Sequence, residues 1–256
     1  MKSTSIHILP KPFEWIPIPK GQTVLVHDEE VHPSNYLQQD TVFDVAPFEI
    51  AKYPITNAQY RVFIEAEEYL NNRYWTKEGK KQRDIYQWKI PLYWNDSLWN
   101  GDDYPVVGIS WYEAVAFCLW LSDMTDEHIL LPTEQQWQRA AQGDDEHEYP
   151  WGNEFDHQKC NTSDEKLSHQ TTLVYQYEGK CNSPYGVVDL IGNMWEWCLT
   201  DYVTGNQDIE GIPSPIIRGG SWSTSGTFFL TTNYRKGIYP HNRDNDLGFR
   251  IARLPK

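Results

Sequence analysis

Residues 192–197 read GNMWEW. Asn193 and Glu196 stand three apart, and Gly192 allows a tight backbone, so an amide, a carboxylate and main-chain carbonyls can converge. Hard oxygen donors of this kind suit Ca²⁺. The same residues also have a purely architectural reading, with Glu196 capping or joining a salt bridge while Trp195 and Trp197 pack in the core. Both readings stay open at this point.

A second stretch, RGGSWSTSGT at 218–227, places two glycines before a serine and a tryptophan. Gly219 and Gly220 let the backbone turn sharply and bring Ser221 and Trp222 to a pocket edge. Ser221 has no adjacent histidine to activate it as a nucleophile. Past it, residues 223–246 mix Ser, Thr, Asn, Tyr, His and Asp, and such residues give adaptable contact surface at low entropic cost. We expect Thr224, Thr227, Tyr234, Tyr239, His241 and Asn242 to point outward on one face, and Leu247, Phe249 and Ile251 to point inward. A protein or small-molecule ligand would bind that face, with aromatics from GNMWEW contributing.

Thiols and imidazoles offer less. Cys118 lies in an apolar stretch and Cys198 follows the tryptophans, so both read as inert core residues. Cys160 and Cys181 sit in polar, loop-like sequence, where a bridge between them stays open. The eight histidines are scattered, with no pair at helical ligand spacing. A lone His241 is more often a surface or hydrogen-bonded residue than a ligand.

The elements that must position these residues are partly legible. Thr56–Gln59, Ser110–Glu113 and Thr133–Gln136 each have the form of a capping box, followed by apolar residues at helical spacing. The helices they start read as short, each ending in a Gly- or Asp-rich segment. Strand signals cover 23–26, 42–45, 48–50, 216–218 and 248–251, and the text from Pro150 onward turns irregular. Twelve Trp, 16 Tyr, 16 Gly and 16 Pro describe a loop-rich aromatic fold rather than a helical bundle. One α+β domain accommodates all of this.

The chain has 256 residues and a net charge of −14. A surface this acidic repels phosphate backbones and anionic lipid, so neither nucleic acid nor membrane is an expected partner. The N-terminal stretch lacks a continuous apolar run, no segment approaches a membrane span, and four cysteines are too few for a disulfide framework. A soluble cytoplasmic protein is the expectation.

Seven strings occur in order: YPITNAQY (53–60), YPVVGISWYEAVAFCLWL (104–121), LPTEQQWQRAA (131–141), YPWGNEF (149–155), SPYGVVDLIGNMWEWC (183–198), RGGSW (218–222) and LGFR (247–250). Together they resemble the formylglycine-generating-enzyme, or sulfatase-modifying-factor, family. The resemblance runs from about residue 13 to the end. It implies a C-type lectin-like fold with little regular secondary structure, short capped helices and short antiparallel sheets. Residues 1–12 then form an N-terminal extension and 13–256 a single domain.

The resemblance also implies site residues. Ser221 takes the place of the family's pocket serine. The family's oxidases place one cysteine three residues after that serine and another five further on, to hold copper(I) and act on a peptide cysteine of the Cys-x-Pro-x-Arg type. In this chain the two positions are Thr224 and Phe229, and neither can be a thiolate. Copper is therefore not expected, whereas structural Ca²⁺ is. A second calcium site would start at Asn161 and Thr162, with Asp164 and Glu165 the nearest carboxylates. A branch that forms sulfur–carbon bonds uses non-haem iron held by an added helical domain, which this sequence does not show. Residues 223–246 resemble the C-terminal region of variable proteins encoded by diversity-generating retroelements. The expected function is a catalytically silent binding domain, with an active oxidase of the family, copper-dependent or with rewired ligands, as the alternative.

Overall fold

The computed structural model describes residues 8–27, 35–163 and 169–254. Among the described residues ten strands occur in chain order: β1 (Trp15–Ile18), β2 (Gly21–Leu25), β3 (Thr41–Val45), β4 (Phe48–Ala51), β5 (Ile129–Leu130), β6 (Trp195–Asp201), β7 (Pro215–Arg218), β8 (Arg235–Gly237), β9 (Leu247–Gly248) and β10 (Ala252–Arg253). They form a sheet ordered β1-β4-β10-β5, the hairpin β2-β3, and a sheet ordered β8-β7-β6-β9. The first sheet is antiparallel and ties both ends of the chain to β4. In the last sheet β6 pairs antiparallel with β7 and parallel with β9. The protein is α+β with short elements and long ordered connections, and among the described residues no helix is long and apolar enough to cross a membrane.

Among the described residues four α-helices complete the frame: α1 (Asn57–Glu65), α2 (Lys77–Tyr86), α3 (Trp111–Thr125) and α4 (Glu134–Gln142). All three expected capping boxes are present, at Thr56, Ser110 and Thr133. In each, the hydroxyl accepts from the N3 amide while the N3 side chain accepts from the cap amide, so two orphan donors are satisfied at once. The spacing of Ala114, Phe117, Cys118 and Leu121 places all four in the core, where Phe117 meets Tyr60, Phe63 and Phe249. The larger of these, Phe117 and Leu121, each contribute roughly 1.5–3 kcal/mol by burial.

The structure corrects several boundaries. Helix α3 spans 15 residues and is not short; α1 ends at Glu65 and is capped by Ala66, with Glu67 in a left-handed conformation, rather than by Gly or Asp. The final strand signal is split: Phe249, Arg250 and Ile251 lie between β9 and β10, where Arg250 turns inward to a buried carboxylate. Residues 8–12, within the expected N-terminal extension, pack on the domain. Leu9 is buried in the main core, and Gln59 donates to the carbonyls of Pro10 and Pro12. Cys160 and Cys181 are not bonded to each other; each is a buried thiol in a different apolar cluster. Cys118 and Cys198 are buried as expected, and burial pushes both thiols well above the ordinary range.

Candidate functional site

Strand β6 carries the GNMWEW residues into the middle of its sheet. The turn before it has left-handed backbone at Gly192, φ 76°, and at Asn193, φ 62°. A side chain at Gly192 would meet the Asn161 carbonyl at 2.5 Å, so the glycine permits a close approach of two segments. The Asn193 amide donates to that same carbonyl at 2.8 Å, which joins 161–162 to the start of β6. Trp197 is fully buried and donates to the Ile109 carbonyl, whereas Trp195 is half-buried against Tyr234 at 5.8 Å.

The expected calcium residues divide in two. Glu196 is buried, and its two oxygens accept from the Arg250 guanidinium at 2.6 Å each. The Trp137 indole adds a third bond at 2.8 Å. Its salt-bridge role is therefore what the geometry displays. The Asn193 side-chain oxygen is also engaged, accepting from the Thr172 amide and from Asn161. Its nitrogen donates to Asp189 at 2.6 Å. Asp189 was not singled out from sequence. It is buried, and desolvation raises its carboxyl from the ordinary 3.8 to about 7 against the opposing Asn193 bond. Close by, Asn161 donates to the Gln170 carbonyl, and the hydroxyls of Thr162 and Thr171 are buried with no hydrogen-bond partner. Asp164 and Glu165 lie outside the described residues.

The RGGSW stretch closes β7 and turns at its two glycines. Gly219 and Gly220 have φ of 93° and 77°, and a side chain at Gly219 would sit 2.5 Å from the Leu190 carbonyl. Arg218 is buried and paired with Glu134, which also holds Arg235. Ser221 is fully buried rather than at a pocket edge, because the paired glycines fold the chain inward there. Its hydroxyl donates to Asp246 at 2.7 Å, and Ser223 donates to the same oxygen at 2.7 Å. Thr224 accepts from the Ser221 amide at 3.0 Å, and its hydroxyl lies 3.1 Å from that of Ser221. Trp222 is half-buried, donates to the Asn245 carbonyl and packs on Trp99 at 5.8 Å. The result is a floor of hydroxyls gathered on one carboxylate.

Beyond this floor, residues 223–246 do not form one outward face. Thr227 and Tyr239 are exposed; Thr224, Tyr234, His241 and Asn242 are half-buried; and Leu230, Thr231, Thr232 and Arg235 are buried. The outward residues fall into two groups. Thr227 opens a short 3₁₀ turn with Phe228 and Phe229, which are 53% and 41% exposed. Their rings meet Tyr234 edge-on at 5.7 and 5.1 Å. Tyr239 and His241 instead stack at 5.5 Å, and His241 stacks in turn on Tyr86 at the end of α2, at 5.9 Å. Leu247, Phe249 and Ile251 point inward as expected. Sequence reasoning missed Asp246 and Tyr86, which are brought there by partners distant in the chain, and Phe228, an apolar residue whose exposure has no local sign.

A sulfatase-modifying factor enzyme 1-like domain matches residues 10–255. Inactive C-alpha-formylglycine-generating enzyme 2 of Bos taurus is 27% identical over 245 residues, covering 81% of this chain and 77% of that protein. Hercynine oxygenase of Mycobacterium tuberculosis is 26% identical over 237 residues, covering 82% of this chain and 53% of that protein, so the chain spans about half its length. The solved structure titled Treponema denticola variable protein 1 aligns with a TM-score of 0.70 at 21% identity, covering 95% of both chains.

Proposed function

This chain belongs to the sulfatase-modifying factor enzyme 1-like family, and we propose that within it the chain is a catalytically silent domain that binds a protein or small-molecule ligand through part of residues 221–246. One observation carries the reading. The positions of the family's two copper-binding thiolates hold Thr224, whose hydroxyl is tied to Ser221, and Phe229, whose ring is turned out to solvent beside Phe228 and Tyr234. A hydroxyl and a phenyl ring do not fit soft copper(I), which takes thiolate or thioether ligands. What this position supplies instead is exposed aromatic surface, and such surface on a soluble domain marks interaction sites. The word "inactive" in the bovine relative's name favours the same reading. The likeness to the Treponema variable protein favours a display scaffold, in fold alone. The four cysteines, buried and outside disulfides, favour a reducing compartment such as the cytoplasm.

The test is copper(I) retention against a competing chelator. The full chain, loaded with one equivalent of copper(I), should lose all of it. Stoichiometric retention would overturn the reading.

Calcium belongs to the proposal with changed ligands. Among the described residues, Asp189 supplies a buried carboxylate outside any ion pair, whereas Glu196 is committed to Arg250, and the partnerless hydroxyls of Thr162 and Thr171 lie in the segments joined to Asn193. These donors fit a hard cation in type. We infer that Ca²⁺ would be held by Asp189 rather than by the Asn193 amide, and would compensate buried charge without chemistry. Millimolar Ca²⁺ should raise the melting temperature of the full chain, because a ligand that binds only the native state stabilises it. Asp189→Asn should abolish that rise. Equal melting in Ca²⁺ and EDTA would count against the site.

A further inference from the structure

We propose that the aromatic patch of Phe228, Phe229, Tyr234 and Trp195, with the carboxylates of Asp244 and Asp246 beside it, docks a cationic segment of a partner protein: an arginine- or lysine-bearing loop with an apolar residue next to the charge. The proposal rests on the binding reading above and names the class of occupant.

The four rings form one connected cluster. Phe228 and Phe229 touch at 5.3 Å, both meet Tyr234, and Tyr234 meets Trp195 at 5.8 Å. Keeping two phenylalanines this exposed costs solvation that a buried position would recover. The main chain ties the ring cluster to the segment that carries these carboxylates, because the Trp195 amide donates to the Asp246 carbonyl at 2.7 Å.

Those carboxylates are short of positive charge. One Asp246 oxygen takes two hydroxyls, from Ser221 and Ser223, and no cation. Among the described residues neither Asp244 nor Asp246 is in an ion pair. Arg243, next in sequence, faces inward onto Glu113 and the carbonyls of Ile90 and Gly108. Lys236 acts on Asp244 only from a distance, and the repulsion of Asp246 adds to the burial that lifts the Asp244 carboxyl. The chain as a whole carries −14. A cationic partner meets a favourable field on approach, charge-paired contacts at Asp244, and ring faces that attract guanidinium or ammonium groups. A second copy of this chain, an acidic partner or an anionic lipid surface would meet repulsion.

The experiment titrates the full chain by calorimetry with three acetylated hexapeptides of alternating phenylalanine and a second residue: arginine, glutamine or glutamate. The arginine peptide should bind at least about tenfold tighter than the glutamine one, a step of roughly 1.4 kcal/mol. The glutamate peptide should not bind. The arginine affinity should fall between about 50 and about 300 mM sodium chloride. Asp244→Asn and the double variant Phe228→Ser with Phe229→Ser should each weaken it by about tenfold, with melting temperature unchanged, while Glu154→Gln on another surface should not. Equal binding of the arginine and glutamine peptides, lost in the phenylalanine variant, would overturn the charge assignment but leave the binding face standing. Failure of all three peptides to bind would overturn the docking proposal; copper(I) retention reports on the silent reading separately. Concentration-dependent dimerisation that the phenylalanine variant abolishes would make a second copy the occupant, and would overturn it too.

Discussion

Asp189 is a buried carboxyl hydrogen-bonded by the Asn193 amide, and desolvation lifts it to about 7 against that bond and the more distant pull of Arg250. Its folded-state value therefore lies above the unfolded 3.8. Stability tied to the protonated form is full below about 4 and is lost as pH rises through about 7. In EDTA, the native protein should lose on the order of 2–4 kcal/mol between about pH 5 and about pH 8 from this group. Asp189→Asn should flatten that slope in urea unfolding; an unchanged slope would remove Asp189 as its source. Glu196 behaves differently because Arg250 already compensates it. Glu196→Gln should destabilise the domain by about 3–5 kcal/mol even without calcium, since it strands a buried guanidinium. An equal loss only in the presence of calcium would instead make Glu196 primarily a ligand. The sequence showed Glu196 with both roles open. Asp189 passed unnoticed because an acid inside VVDLIG gives no local sign of whether its partner is a charge, an amide or an ion.

At the scale of elements, capping boxes were the most legible signals, because hydroxyl and carboxyl or amide satisfy each other within four residues. Helix α2 escaped notice since KEGKKQRDIY has no continuous apolar face; it is held through Arg83, which donates to the Tyr69 carbonyl and lies over Trp75 at 4.7 Å. Strand β6 escaped for the opposite reason. It is buried on both faces, so WEWCLTD does not alternate, and its polar residues are paid off by distant partners such as Arg250 and the Glu134 amide. The glycines of RGGSW answer to geometry that the sequence did announce. Gly219→Ala places a methyl against the Leu190 carbonyl at a positive φ, and the backbone strain alone should cost about 1–3 kcal/mol. Thermal melting indistinguishable from the parent would show that this turn relaxes freely.

For the whole molecule, seven ordered strings made the fold legible, and the α+β architecture with short sheets agrees with them. The single binding face was not legible, because burial along 223–246 depends on which neighbours each residue meets. Thr232 is fixed by the carbonyls of His147 and Glu148, and Arg235 by Glu134, so those positions serve folding. Changing Thr227, Phe228 and Tyr239 together to other polar residues should leave unfolding free energy within about 0.5 kcal/mol per site. A large loss of stability would make this segment core rather than surface. The central claim is catalytic silence, and mass spectrometry tests it most directly. A Cys-x-Pro-x-Arg peptide incubated with the full chain, copper(I) and oxygen should keep its cysteine sulfur, because Thr224 and Phe229 stand where thiolates would be needed. Conversion of that cysteine with loss of sulfur, above a protein-free control, would contradict the account.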